Sequence, residues 1–141
     1  MNIDFGKKYE PFREEIRQFL DDNLTDELRD AQRFCPGIFL DYEYNIEWHK
    51  ILFKQGWVAP AWPKEYGGTG WDLMEKYIWS TETSLANAPH TAPMGLGMCG
   101  PMLIGCGSDK QKKNSYLGSS LAKTIGVRVT LNQGQAQTLP A

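Results

Sequence analysis

Three glycines in the second half of the chain have the spacing of a nucleotide-binding loop. Gly95, Gly97 and Gly100 in GLGMCG fit the pattern G-x-G-x-x-G, whose backbone can approach a dinucleotide pyrophosphate closely. That chemistry requires a buried strand before the glycines, a helix after them and an acidic residue about 20 positions further on. Here NAPHTAP precedes the glycines, and Ser120 stands at the acidic position. The sequence therefore does not support a dinucleotide site at these glycines.

Three methionines in the same segment have a helical spacing. Met94, Met98 and Met102 stand at i, i+4 and i+8, which places them on one face of a helix. The glycines beside them let another group approach the backbone, and a neighbouring helix or an apolar ligand could fill that space. Because methionine is a common filler of protein cores, the residues alone favour a core face over a ligand pocket.

The cysteines and histidines form no recognisable disulfide or metal pattern. Cys35, Cys99 and Cys106 are odd in number and have no C-x-x-C spacing, which argues against a disulfide framework and a zinc ribbon. His49 and His90 are the further candidate ligands, and so scattered a set does not favour a metal site. We expect the three thiols to be reduced and buried or half-buried.

The charged side chains show no arrangement for acid–base catalysis. Glu65, Glu75 and Glu82 are interpreted as surface charges or loop ties, so the sequence offers no candidate catalytic base. The lysines within residues 110–113 belong to S-D-K-Q-K-K, which has the form of a helix capping box starting at Ser108. A solvated helix face is favoured over a phosphate site for these lysines.

Composition limits the class of protein. The 141 residues are 41% hydrophobic and 12% aromatic and carry a net charge of −2, which fits one soluble globular domain and gives no reason to expect nucleic acid as a partner. The N-terminal sequence MNIDFGKKYEPF lacks the apolar core of a signal peptide, and no apolar run approaches the roughly 20 residues of a membrane span. We therefore expect a cytoplasmic protein.

Helices must position these side chains. Apolar residues at helical spacing predict a first helix from Tyr9. After a polar stretch with Pro36 and Gly37, a second helix is predicted that ends at Gly56. No segment before residue 117 alternates with the period of a strand, so the predicted fold class is all-α, with about five helices.

The remaining predicted elements follow a long irregular segment. Residues 56–71, GWVAPAWPKEYGGTGW, contain too many prolines and glycines for a helix, but their three tryptophans predict a packed loop. A third helix is predicted over residues 74–85, and a fourth from about residue 91 to residue 104. The capping box at Ser108 predicts the fifth.

The order of these features resembles the N-terminal α-helical domain of the FAD-dependent acyl-CoA dehydrogenases. The resemblance covers about residues 5–117. Its most specific parts are GW-x-x-P-x-WP-x-EYGGTGW and the helix start Gly-Ser-Asp-x-Gln-Lys-Lys, and it includes FREEIRQFL and PMGLGMCGPMLIGCGS. It implies one helical domain of a three-domain enzyme, followed by a β domain and a C-terminal helical bundle.

The resemblance also implies a reaction, the α,β-dehydrogenation of an acyl-CoA thioester. In that family a glutamate abstracts the α-proton while the β-hydride passes to FAD, and the later domains supply this base and most flavin contacts. The helical domain supplies a wall of the acyl-chain pocket. This implies candidate substrate-pocket residues at His90, Thr91, Met94 and Met98, and for His90 a structural role is an equal alternative. Members of the family are usually homo-oligomeric.

The resemblance ends after Leu117 in a specific way. The family continues with a β-domain motif close to YSEPGSGSDLAS, which residues 118–141 lack. Back-translation of residues 123–141 with permitted codons, read in a frame shifted by two bases, gives DYWGTGYSEPGSGSDLAS. We therefore expect residues 1–117 to be the helical domain and residues 118–141 to be an out-of-frame, disordered tail. The disfavoured alternative is that VRVTL in this tail is a genuine edge strand.

These expectations describe a dehydrogenase fragment that is inactive alone and does not hold FAD by itself. One alternative is a stand-alone helical module that binds an apolar acyl group or a partner helix through the groove at Met94 and Met98. Another is one subunit of a split dehydrogenase whose other domains come from a separate chain.

Overall fold

The architecture is all-α, as the sequence predicts. The computed structural model describes residues 7–37, 40–91 and 93–108, and these ranges contain five α-helices and no strand. The α-helices are α1 (Glu10–Asn23), α2 (Asp26–Arg33), α3 (Tyr42–Gln55), α4 (Leu73–Leu85) and α5 (Gly100–Cys106). A 3-10 turn at Lys64–Tyr66 lies between α3 and α4, and a π-helix at Pro93–Cys99 leads directly into α5.

The core forms where α1 packs against α4. The predicted apolar face of α1 is buried through Ile16, Phe19 and Leu20. Ile78 of α4 is fully buried in the same core. Burying a large apolar side chain contributes about 1.5–3 kcal/mol, so apolar contact is the main source of stability for this pair of helices.

Glu82 is buried between α4 and α1, so its interpretation as a surface charge or loop tie is wrong. Arg13 Nε donates to Glu82 Oε1 at 2.6 Å, and Arg17 Nε donates to Oε2 at 2.8 Å. Burial alone would raise the pKa of Glu82, but the hydrogen bonds from Arg17 and Arg13 outweigh it and lower the pKa below its ordinary value. The carboxylate therefore stays ionised and joins the two helices.

Glu65 and Glu75, which were also interpreted as surface charges or loop ties, lie nearer the surface. Asp72 Oδ1 accepts from the Glu75 N–H at 2.8 Å, and Glu75 Oε2 accepts from the Asp72 N–H at 2.7 Å. This reciprocal pair is a capping box that satisfies backbone donors at the start of α4. Glu65 is exposed in the 3-10 turn.

The loop over residues 56–71 is packed, as predicted. Gly56 ends α3 in the left-handed conformation, with φ of 82°, which a glycine adopts without a steric cost. Trp57 and Trp62 are buried. The rings of Trp57, Trp71 and Trp79 contact one another, with centroids 5.4 to 5.6 Å apart. The loop therefore packs onto the core through its tryptophans, while residues 63–65 stay exposed.

Helix α2 was not predicted, because the segment carries few apolar residues. Its N-terminus is defined by Thr25, whose Oγ1 accepts from the Leu28 N–H at 3.3 Å. Acidic residues occupy its first turn and Arg33 its last, where each charge suits the helix dipole. Leu28 is its one fully buried side chain. Capping and charge placement, together with this single anchor, account for the helix.

Burial of His49 on α3 makes the stability of the protein depend on pH. His49 is 7% exposed, and burial lowers the pKa of its imidazole from 6.5 to about 4. The unfolded chain therefore binds the proton more readily, and stability decreases as the pH falls from about 6.5 to about 4. We expect a loss of about 3 kcal/mol over this interval, measured by urea unfolding at several pH values.

A substitution separates this effect from the other titrating groups. His49→Gln should remove most of the slope between pH 6.5 and pH 4.5, whatever its effect on stability at pH 7. A wild-type unfolding free energy that is constant between pH 7 and pH 4.5 would contradict the prediction.

Some sequence expectations are corrected and others lie outside the described residues. Cys35 is half-buried as expected, whereas Cys99 and Cys106 are exposed, because they lie on the outer side of the last helical segment. The residues after Ser108, which include the rest of the predicted fifth helix and the tail over residues 118–141, lie beyond the described ranges. Among the helices that are described, none has the length and apolar character needed to cross a membrane.

Candidate functional site

A groove of about 390 Å³ lies between the packed loop and the π-helix. Residues 58–62 form the loop side, and all five are apolar. The opposite side consists of His90, Thr91, Pro93, Leu96 and Gly97. The groove is therefore apolar along most of its length, with polar side chains at one edge.

The predicted fourth α-helix begins instead as a π-helix. This conformation leaves the Leu96 carbonyl available to the loop on the other side of the groove. A π-type hydrogen bond joins a carbonyl to the N–H five residues later, and Pro101, which lacks an N–H, stands five residues after Leu96. Instead, the buried Trp62 Nε1–H donates to the Leu96 carbonyl at 2.8 Å. This bond fixes the floor of the groove to its helical wall.

Gly100 allows the Trp62 ring to lie against the helix. A Cβ atom at Gly100 would lie 2.0 Å from Trp62 Cζ2, which is far inside van der Waals contact. Gly100 is buried, and its lack of a side chain provides the space for the indole ring. Together with Gly95 and Gly97 it belongs to helical turns rather than to a loop after a strand, which is not the context of a dinucleotide site.

The structure brings two of the four sequence-predicted pocket residues to the groove. His90 and Thr91 line its edge. Met98 is 66% exposed and Met102 is 61% exposed, so the core interpretation of the methionine stripe is wrong for these two residues. The π-helical turn alters the register on which the i, i+4 pattern depends, and Leu96 is buried in their place. The side chain of Met94 is not among those described.

Sequence reasoning missed the side chains that hold His90. The His90 N–H donates to Gln32 Oε1 at 3.1 Å, and Asn45 Nδ2 donates to the His90 carbonyl at 3.3 Å. The imidazole itself is exposed. In the sequence, the available sign of this contact was Asn45, a polar residue among the apolar residues that define the buried face of α3.

The same edge also borders a second cavity. His90 and Thr91 line this smaller space of about 170 Å³, which continues between α3 and α4. The two residues therefore form a ridge between two cavities.

The groove offers an apolar surface for binding, with His90 and Thr91 as its polar lining residues. Its lining, within the part of the chain that is described, includes no carboxylate or cysteine. No cluster of three metal-ligating side chains occurs among the described residues either. An apolar surface with a few polar groups at one edge is typical of a site that holds an apolar ligand.

Comparison with known proteins gives a consistent set of matches. The family model described as "Acyl-CoA dehydrogenase, N-terminal domain" matches residues 7–122. The acyl-CoA dehydrogenase FadE26 of Mycobacterium tuberculosis is 30% identical over 113 residues, which is 80% of this chain and 28% of that protein. The acyl-CoA dehydrogenase IpdE1 of Mycolicibacterium smegmatis is 33% identical over 106 residues, covering 72% of this chain and 27% of that protein.

A further relative matches nearly the whole chain. The acyl-CoA dehydrogenase FadE29 of Mycobacterium tuberculosis is 28% identical over 141 residues, which is 98% of this chain and 34% of that protein. The chain thus spans about a third or less of the length of the curated relatives it matches. No solved structure matches significantly.

Proposed function

Because the chain belongs to the acyl-CoA dehydrogenase family through its N-terminal domain, we propose that it forms a wall of the acyl-chain pocket of a FAD-dependent acyl-CoA dehydrogenase. The groove between residues 56–71 and the π-helix receives the apolar part of the acyl group. The observation that carries the proposal is the apolar lining of this groove beside the His90–Thr91 edge. For Met94 and Met98 the assignment to the pocket rests on the family resemblance alone.

The chain contributes binding to the reaction rather than its chemical groups. Dehydrogenation requires a base for the α-proton and an acceptor for the β-hydride, and FAD supplies the acceptor when it is bound. The described groove lining has no carboxylate that could act as this base. The glycines at 95, 97 and 100 are helical and so do not form a phosphate-binding loop. We therefore propose that the 141-residue chain is inactive alone and does not hold FAD stoichiometrically.

Binding of acyl-CoA by the purified chain tests the proposal. Titration with fatty acyl-CoA thioesters should change the tryptophan fluorescence saturably, because Trp62 forms the groove floor, whereas CoA without an acyl group should not. Gly97→Leu places a side chain at the groove and should weaken binding roughly tenfold, about 1.4 kcal/mol. Gly105→Leu is the matched control, because a Cβ at either glycine meets no atom within 4 Å and Gly105 lies outside the groove.

Two results would contradict the proposal. Equal responses to CoA and to acyl-CoA would exclude the groove as an acyl site. Stoichiometric FAD binding together with oxidation of an acyl-CoA by the 141-residue chain would show that it is a complete enzyme rather than a pocket wall. Saturable acyl-CoA binding without flavin is expected both for this proposal and for a stand-alone acyl-binding module. Addition of the missing domains distinguishes the two, because only a pocket wall should then take part in dehydrogenation.

We also propose that residues 118–141 are the start of the family's β domain read out of frame. The support is the shifted translation of residues 123–141, which contains YSEPGSGSDLAS. Resequencing the DNA across codons 110–141 and beyond tests this directly. One base gained or lost near codon 118 would support the proposal, and an unchanged frame would contradict it.

A further inference from the structure

The main chain of His90 is held by side chains from two different helices. Gln32 at the end of α2 accepts from the His90 N–H, and Asn45 in the first turns of α3 donates to the His90 carbonyl. Both hydrogen-bonding groups of one peptide residue are therefore engaged by side-chain amides. Neither contact is part of a helix or a tight turn, because Gln32 and Asn45 lie 58 and 45 residues from His90 in sequence.

The orientation of Asn45 shows that the donor is what matters at this position. Asn45 is 7% exposed, and its Oδ1 atom is buried without a hydrogen-bond partner. Rotation of the amide by half a turn would place Oδ1 against the His90 carbonyl, where two acceptors would repel each other. The hydrogen bond to the His90 carbonyl therefore sets the orientation of the Asn45 amide.

The two amides act on the ridge between the cavities. His90 and Thr91 line both the larger groove and the smaller space behind it. The π-helix that forms the groove wall begins at Pro93, two residues after Thr91. A shift of the His90 backbone therefore changes the distance between this wall and the loop at residues 58–62.

We propose that Gln32 and Asn45 are positioning residues for the groove, which hold the His90–Thr91 ridge and so set the width of the space that receives the ligand. The consequence for acyl binding rests on the proposed function, whereas the effect on the ridge does not. The α2–α3 pair thereby controls the shape of the groove, although none of its described side chains lines that groove.

The polarity of the two bonds gives a sharp test in the full 141-residue chain. Gln32→Glu keeps an acceptor for the His90 N–H, whereas Gln32→Leu has a similar volume and cannot accept. Asn45→Leu removes the donor to the His90 carbonyl. Gln55→Leu, at the exposed end of α3, controls for the loss of an amide. Two properties are measured in each variant, the hydrogen exchange of the His90 and Gly97 amides and the affinity for a fatty acyl-CoA.

The expected results differ between variants of similar size. Gln32→Leu and Asn45→Leu should each weaken acyl-CoA binding roughly tenfold and speed exchange at His90 and Gly97, since each removes one hydrogen bond. Gln32→Glu and Gln55→Leu should stay within about twofold of wild type in both properties. If residue 32 only filled space, glutamate and leucine would have similar effects on binding and exchange. Wild-type behaviour with glutamate but not with leucine would therefore indicate the hydrogen bond.

The outcomes separate the two proposals. If wild type binds acyl-CoA and Gln32→Leu binds equally well with unchanged exchange at Gly97, the positioning role is overturned. If wild type does not bind acyl-CoA, the proposed function fails. The hydrogen exchange of the Gly97 amide in the two Gln32 variants then decides whether Gln32 positions the ridge. If Asn45→Leu does not fold, the pair of Gln32 variants still decides the question, because Gln32 is only half-buried.

Discussion

In a variant that carries both Arg13→Met and Arg17→Met, the free energy of unfolding at pH 7 is expected to fall by about 4 kcal/mol. Both guanidinium groups bond to Glu82, whose side chain is only 6% exposed. Methionine keeps much of the apolar stem of arginine but removes its charge and donors. The buried carboxylate then has neither water nor a cation to compensate its desolvation.

The pH dependence of this variant has a defined sign. In wild type the pKa of Glu82 lies below its ordinary value, so its contribution to stability is present above pH 4.5 and is lost as the pH falls through the lowered pKa. Without the arginines burial dominates and raises the pKa of Glu82, so the variant regains stability as the pH falls below that raised value. The difference between wild type and variant should therefore shrink from pH 7 to pH 5.

A variant with the same change in net charge is the control. Arg33→Met with Lys50→Met removes two positive charges from exposed positions, and it should change the unfolding free energy by less than about 1 kcal/mol. Urea unfolding of the three proteins at both pH values provides the comparison. Equal stability of the two double variants would show that the Glu82 cluster does not hold α1 to α4.

Gly100→Ala is expected to destabilise the protein by about 3 kcal/mol, although it adds a single methyl group. The new Cβ would lie 2.0 Å from Trp62 Cζ2. The indole ring cannot move aside easily, because it is 2% exposed and its N–H donates to the buried Leu96 carbonyl. Relief of the clash therefore requires either a shift of the π-helix or loss of this hydrogen bond.

Gly105→Ala is the matched control on the same helix. A Cβ at Gly105 meets no atom within 4 Å, and alanine is the better helix former by up to about 1 kcal/mol. This variant should therefore be as stable as wild type or slightly more stable in urea unfolding. If the Gly100→Ala and Gly105→Ala variants unfold at the same urea concentration, close packing of Trp62 against the helix is excluded.

The sequence was most informative where local pattern and burial agree. On α1 the spacing of Ile16, Phe19 and Leu20 predicts the buried face that the structure shows, and Gly56 ends α3 as expected. The tryptophan-rich loop was predicted to pack because indole rings are costly to expose, and Trp62 is indeed buried.

The features missed from the sequence depend on contacts between distant residues. Helix α2 has one fully buried side chain, Leu28, which is too little for a periodic signal. In the π-helix the Leu96 carbonyl accepts from Trp62, a pairing across 34 residues that no local pattern encodes. Glu82 follows the buried Ile78 by one turn of α4, and this spacing was the available sign that its carboxylate faces the core.

The groove was anticipated only in part, for the same reason. His90 and Thr91 lie at its edge, but its floor comes from the loop and includes Trp62. The i, i+4 spacing of the methionines places them on one face only if the α-helix is uninterrupted. Because the segment begins as a π-helix, the core interpretation of Met98 was wrong.

The ion cluster between α1 and α4 has a consequence for synthesis on the ribosome. Its partners Arg13 and Arg17 are separated from Glu82 by 69 and 65 residues. The nascent α1 therefore emerges long before the helix that covers its apolar face and neutralises its arginines. Until residues 73–85 have left the exit tunnel, that face is open to other apolar segments, so this interval of synthesis is the one in which α1 is prone to aggregate.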